Sequence, residues 1–163
     1  VSRRSSEQWA RRVDGQAGVE VDVLLPTCNR PAELAVTLAG LAAQAEPAFA
    51  VVISDQSTGS PGWEHPAAAA MVRVLQAQGR SLTLLRHLPC RGLAEHRQFL
   101  LDHSTAEKCL FLDDDVWLEP GALERFGGAG ILPSGAVHLE SPTTVTERQV
   151  EAYDVVLGEE QAG

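Results

Sequence analysis

The sequence predicts an α/β domain built on a mostly parallel sheet with helices on both faces. Two observations lead there. Strand-like apolar runs recur about every 30 residues with helix-patterned segments between them, the spacing of βαβ units with right-handed crossovers. The chain has 163 residues, 44% hydrophobic and 21% charged, which suits one globular domain with its own core.

Each element has a local reason. Residues 1–18 carry Arg3, Arg4, Arg11 and Arg12 with little apolar content and read as a basic N-terminal arm. Val19 to Leu25 is β-branched and partly alternating, so it reads as a strand with Glu20 and Asp22 on its exposed face. Pro31 to Ala45 places Leu34, Leu38 and Leu41 at helical spacing, with Pro31 in the first turn and Glu33 just inside. Phe49 to Ser54 is a short, continuous apolar run, as in a strand covered on both faces. A Ser-, Gly- and Pro-rich loop follows from Ser57 to Gly62, then an Ala-rich helix over Pro66 to Gln78 that Gly79 ends. Ser81 to Leu85 is the third strand, Leu93 to His103 the third helix and Lys108 to Leu112 the fourth strand. A short helix follows around Pro120 to Phe126. Beyond it the pattern weakens. Gly127 to Gly130 is a turn or link, Ile131 to Leu139 has room for one more strand, and the stretch to Gly163 is acidic.

In an open parallel sheet, ligands bind beyond the carboxyl ends of the strands. Here those ends supply Pro26-Thr27-Cys28-Asn29-Arg30, then Asp55-Gln56-Ser57, then Arg91-Gly92 with Arg97 on the next helix, then Asp113-Asp114-Asp115. Asp113 and Asp115 are two apart after an apolar strand, so extended backbone turns them to the same side. Two close carboxylates repel unless a cation lies between them, and a hard divalent ion, Mn2+ or Mg2+, fits oxygen ligands completed by phosphates. A solvated acidic turn is the alternative. Arg97 shares a helical face with Leu93 and Leu100, so it needs a partner: a ligand phosphate or one of the aspartates. Asp55 is placed to accept from a base or sugar, or to form a local turn with Ser57. Asn29 and Arg30 either face the ligand or cap the helix starting at Pro31.

Several function classes are excluded. Net charge is −9, from 13 basic and 22 acidic residues, so the basic footprint of a nucleic-acid binder is absent. No apolar run approaches the length of a membrane span, and the basic start has no apolar core behind it as a signal peptide would. There is no GxxxxGK[ST] or GxGxxG loop, and His87, His96 and His103 lack HExxH spacing. Cys28, Cys90 and Cys109 form no CxxC pair and read as small, semi-buried thiols in a reducing compartment. The expected location is cytoplasmic, free or peripheral to the inner face of the membrane.

The motifs together carry a resemblance. Val21 to Pro31, with Pro26-Thr27-Cys28-Asn29-Arg30 at its end, resembles the opening of family 2 glycosyltransferases of the GT-A, Rossmann-like fold. The Leu34, Leu38, Leu41 and Gln44 series is similar to the pattern on that family's first helix. Val51 to Thr58 resembles its second-strand motif, Gly92 to Gln98 its Gly-x-x-x-x-Arg-Asn segment, and Asp113-Asp114-Asp115 its DxD metal motif. The resemblance implies transfer of a sugar from a nucleotide-diphosphate donor, most often a UDP sugar, to an acceptor hydroxyl, metal-assisted and inverting. The acceptor is unspecified: saccharide, lipid or small molecule. Carried over, Pro26, Thr27, Asn29, Arg30, Asp55, Arg97, Asp113 and Asp114 contact the nucleotide, and Asp113 and Asp115 hold Mn2+ or Mg2+.

Ser54 and Gln98 depart from the family's usual acid and Asn. Family members also continue into an acceptor-binding half that holds a catalytic base. Here residues 19–126 form the nucleotide-sugar core and residues 127–163 an incomplete acceptor-side segment and acidic tail. Glu159 and Glu160 are the candidate bases. The rival readings are a non-catalytic or truncated nucleotide-sugar-binding domain and a metal-dependent nucleotidyltransferase, whose basic, Gly-rich first loop this chain lacks.

Overall fold

The computed structural model describes residues 18–128 and 138–140. Strand β1 (Val21–Thr27) leads into helix α1 (Pro31–Ala42). Next come β2 (Phe49–Asp55), a 3-10 turn (Gly62–Glu64) and α2 (Pro66–Ala77). Strand β3 (Leu82–Arg86), α3 (Leu93–Asp102), β4 (Lys108–Phe111), α4 (Ala122–Gly128) and β5 (His138–Glu140) complete the order. The sheet runs β3-β2-β1-β4-β5, with the first four strands parallel and β5 antiparallel on the edge beside β4. This is the mostly parallel α/β sheet the spacing predicts. The reading of 1–18 as an arm, apart from Gly18, lies outside the described residues, as do Glu159, Glu160 and the acidic tail.

Alternation along the strands divides the core into two layers. Val23, Leu25, Val51, Ile53 and Leu110 pack with Leu34, Leu38 and Leu41 of α1 and Ala68, Val72 and Leu75 of α2 on one face. Leu24, Val52, Cys109 and Phe111 pack with Leu100 of α3 on the other. Helices therefore cover both faces. Gly92 opens α3 at φ 110°, a backbone conformation that glycine adopts without a Cβ penalty.

Three readings are corrected. Asp22 is buried, at 2% exposure, rather than solvent-facing, while Glu20 is exposed as expected. β1 lies between β2 and β4 with a layer on each face, so alternation along it does not select solvent. One Asp22 oxygen, Oδ2, accepts from Ser104 Oγ (2.9 Å), Thr105 N (2.6 Å) and Ala106 N (2.9 Å), fixing the turn between α3 and β4. Leu93 does not share the inward face of Leu100: it is 54% exposed at the start of α3 and lines the cavity described below, whereas Leu100 is fully buried. Of the three thiols only Cys109 is buried; Cys28 and Cys90 are exposed on loops.

Candidate functional site

The carboxyl ends of β1, β2 and β4 meet around a cavity of about 400 Å³. β1 and its loop supply Pro26, Thr27, Cys28 and Arg30; β2 supplies Gln56; the β3–α3 region supplies Cys90, Leu93 and His96; and β4 leads into Asp113, Asp114 and Asp115. The loop ends converge as the sheet topology requires.

The aspartates divide by alternation. Asp114 is buried at 4% exposure, whereas Asp113 and Asp115 keep about half of their side chains exposed (48% and 47%). Thr27 Oγ1 donates to Asp114 Oδ2 at 2.6 Å, and Arg30 Nη1 lies 3.1 Å from Asp114 Oδ1. The other Arg30 nitrogen, Nη2, donates to Asp115 Oδ2 at 2.8 Å, so one guanidinium spans two adjacent carboxylates. The Asp115 hydrogen bond, then the Asp114 charge, raises the Arg30 pKa above its ordinary value. Burial pushes the Asp114 carboxyl up, against the opposing pull of Thr27 and Arg30. Arg97, half-buried, reaches Asp113 Oδ1 through Nη2 at 3.4 Å, so of the two expected partners it has an aspartate, in an exposed pair.

Arg30 occupies the residue before α1 but makes no side-chain cap there; its guanidinium goes to the aspartates instead. Asn29 sits at φ 56°, in the left-handed region that Asn tolerates better than most residues, and its N–H donates to Ser57 Oγ at 2.7 Å. It lines a second cavity of about 430 Å³ with Ser57, Gly62 and His65 rather than the one holding the aspartates. Asp55 has no exposed surface. Its Oδ1 accepts from Ser57 N and its Oδ2 from Gly62 N, each at 2.5 Å, so the turn with Ser57 is present and both oxygens are taken up by backbone N–H groups of the loop.

Two residues of α1, Thr37 and Gly40, and Gln44 just past its end hold the segment leaving the aspartates, a role the sequence did not disclose. Thr37 Oγ1 donates to Val116 O at 3.0 Å and accepts from Val116 N at 3.1 Å. Gly40 lets the Leu118 backbone lie against the helix, where a Cβ would meet Leu118 N at 2.8 Å. Gln44 Nε2 donates to Glu119 O at 2.8 Å, and its Oε1 accepts from Leu123 N at 3.3 Å. Two more residues were also missed as site residues. His96 Nε2 lies 2.8 Å from Ser54 Oγ at the cavity, and burial, then the neighbouring His87, lowers the His96 pKa. Gln56 is the other.

The donor set suits a hard divalent ion. Asp113 and Asp115 offer exposed carboxylate oxygens at one cavity, while Asp114 is tied back into the protein. Among the described residues, no group of three or more His, Cys, Asp or Glu side chains converges on a metal position. Two carboxylates without a closed protein cage match an ion that takes its remaining ligands from phosphate and water.

This fold and site define an α/β domain of the GT-A type. The chain belongs to glycosyl transferase family 2, whose pattern it matches over residues 22–127. It is 30% identical over 154 residues to galactofuranosyltransferase GlfT2 of Mycolicibacterium smegmatis, covering 86% of this chain and 23% of that protein. Among solved structures it resembles the mannosyltransferase PcManGT from Pyrobaculum calidifontis, in complex with GDP-Man and Mn2+. There the TM-score is 0.57 and the identity 21%, over 79% of this chain and 39% of that one. It also resembles S. aureus TarS 1-349 in complex with UDP-GlcNAc, with a TM-score of 0.55 and 23% identity over 67% of this chain and 30% of that one. The chain thus spans less than half the length of each relative.

Proposed function

We propose that this chain is the donor-binding part of a glycosyltransferase that moves a sugar from a nucleotide diphosphate, a uridine diphosphate sugar first, to an acceptor hydroxyl. The observation that carries this reading is the exposed Asp113 and Asp115 pair, with Arg30 and Arg97 beside it, at the carboxyl ends of parallel strands. The relatives solved with UDP-GlcNAc and with GDP-Man and Mn2+ support it.

In this reading Asp113 and Asp115 hold Mn2+ or Mg2+, and the chemistry such an ion supplies is charge compensation on the leaving diphosphate. Pro26 and Thr27 form the wall along which the nucleoside lies. Arg30 and Arg97 move from aspartate to phosphate oxygens as the donor enters, since a guanidinium pairs equally well with either. Asp114 fixes the acidic loop to the β1 loop through Thr27. Asn29 holds the entrance through Ser57, and Asp55 orders the β2 loop from behind. Glu159 or Glu160 acts as general base on the acceptor hydroxyl, giving inversion at the sugar carbon. Among the described residues, no helix is long and apolar enough to cross a membrane. Exposed free thiols at Cys28 and Cys90 favour a reducing, cytoplasmic setting.

Titration of UDP with and without Mn2+, repeated on Asp115→Ala, tests the site. Metal-dependent binding that the substitution weakens at least tenfold is expected; metal-independent binding, or an unchanged variant, refutes it. Transfer assayed over a panel of acceptors with Glu159→Gln and Glu160→Gln tests the base. Undiminished transfer by both variants excludes these residues.

A further inference from the structure

The donor cavity contains a buried side-chain donor with nothing to donate to. Gln56 is 3% exposed and lines the cavity, and its Nε2 has no hydrogen-bond partner. Leaving a buried amide donor unpaired is costly, so such a group requires an explanation. Its backbone is held firmly: Gln56 N donates to Thr27 O at 3.0 Å, continuing the β1–β2 ladder past the last strand residues.

Pleating explains why this side chain, and not Asp55, lines the cavity. Along β2, Val51 and Ile53 face the α1 and α2 layer and Val52 faces the α3 layer. Asp55 follows the first set and is sealed against Gly62. Ser54 and Gln56 follow the second. Ser54 is bonded to His96, another residue of the cavity wall, which leaves Gln56 as the side chain of this row with a free polar group.

We infer that the Gln56 amide reads the base of the donor nucleotide, giving its Nε2–H to a ring carbonyl and accepting from the adjacent ring N–H through Oε1. Uracil and guanine both present that N–H and C=O side by side, and a carboxamide matches the pair with one donor and one acceptor. The inference rests on the nucleotide-sugar reading of the cavity and adds a residue that contacts the base.

The experiment compares UDP with ribose 5-diphosphate, which lacks the base, each binding in the presence of Mn2+. The proteins are the full chain, Gln56→Leu and Gln56→Glu, with circular dichroism to confirm folding. UDP should weaken about three- to tenfold in Gln56→Leu, the usual range for one neutral hydrogen bond. It should weaken at least as much in Gln56→Glu, whose carboxylate cannot donate to a carbonyl. Ribose 5-diphosphate should bind all three proteins alike. Equal UDP affinity in the full chain and both variants overturns the inference, as does equal weakening of the two ligands. If the unsubstituted chain binds neither ligand, the nucleotide reading itself fails, and that outcome is distinct from the other two.

Discussion

Gly40→Ala sets two known effects against each other. Alanine is favoured over glycine inside a helix by about 0.5–1 kcal/mol, so propensity alone makes the variant more stable. The contact at this position opposes it. A Cβ on Gly40 lies 2.8 Å from Leu118 N, 3.3 Å from Leu118 Cβ and 3.4 Å from Leu118 O. The nearest atom is backbone, which cannot rotate away as a side chain can. Thr37 pins the segment at Val116 and Gln44 pins it at Glu119, so relief requires stretching one of those bonds or shifting α1. Overpacking of this kind costs about 1–3 kcal/mol. Subtracting the propensity gain leaves a net destabilisation of up to about 2.5 kcal/mol. Urea unfolding should show it as a lower midpoint at unchanged slope. Because Leu118 lies three positions beyond Asp115, UDP affinity in the presence of Mn2+ should fall as well. A variant as stable as the parent, with unchanged affinity, would refute the claim that α1 positions the acidic loop.

Two further outcomes follow from buried polar groups. Asp22→Ala removes the acceptor shared by Ser104, Thr105 and Ala106 and should lower stability by about 2–4 kcal/mol in the same unfolding assay; a loss under about 0.5 kcal/mol would restore Asp22 to the surface role. For His96 the linkage sign is set by a pKa that burial and His87 hold below the unfolded value of about 6.5. Above that pH the imidazole is neutral in both states and contributes no slope. As pH falls from about 6.5 toward the lower folded value, the unfolded chain binds the proton first, so stability declines with a slope of at most about 1.4 kcal/mol per pH unit. His96→Gln should flatten that part of the stability profile; identical slopes in parent and variant would count against it.

Most of the fold was legible because its signals are local. The four parallel strands are short, largely apolar runs, rich in β-branched residues in β1 and β2, and their helices begin or end at Pro31, Pro66 and Gly79, so the elements fall within a few residues of where they were expected. Helix α1 stops at Ala42 rather than Ala45 because Ala43 N and Gln44 N turn back to Gly40 O and Leu41 O. What the sequence concealed was facing. A continuous run such as Phe49 to Ser54 is apolar on both sides, so its hydrophobicity cannot say which layer Asp55 joins and which Gln56 joins. The same ambiguity put Asp22 in solvent. The clamp of Thr37, Gly40 and Gln44 was hidden for another reason: its partners lie about 75 to 80 residues downstream, and pairing at that distance leaves no local periodicity.

The arrangement of charge explains how so acidic a loop holds its shape. Three consecutive aspartates repel one another, and two arginines from different parts of the chain, Arg30 before α1 and Arg97 on α3, offset them unequally. Asp114, buried and bonded to Thr27, keeps both its oxygens inside the protein and ties the β4 loop to the β1 loop. Asp113 and Asp115 hold only exposed pairs with arginine, which water and salt screen and which are readily exchanged. On the proposed reading, the division is functional. The middle carboxylate anchors the loop, while the outer two trade an arginine for a cation and release that arginine to the diphosphate.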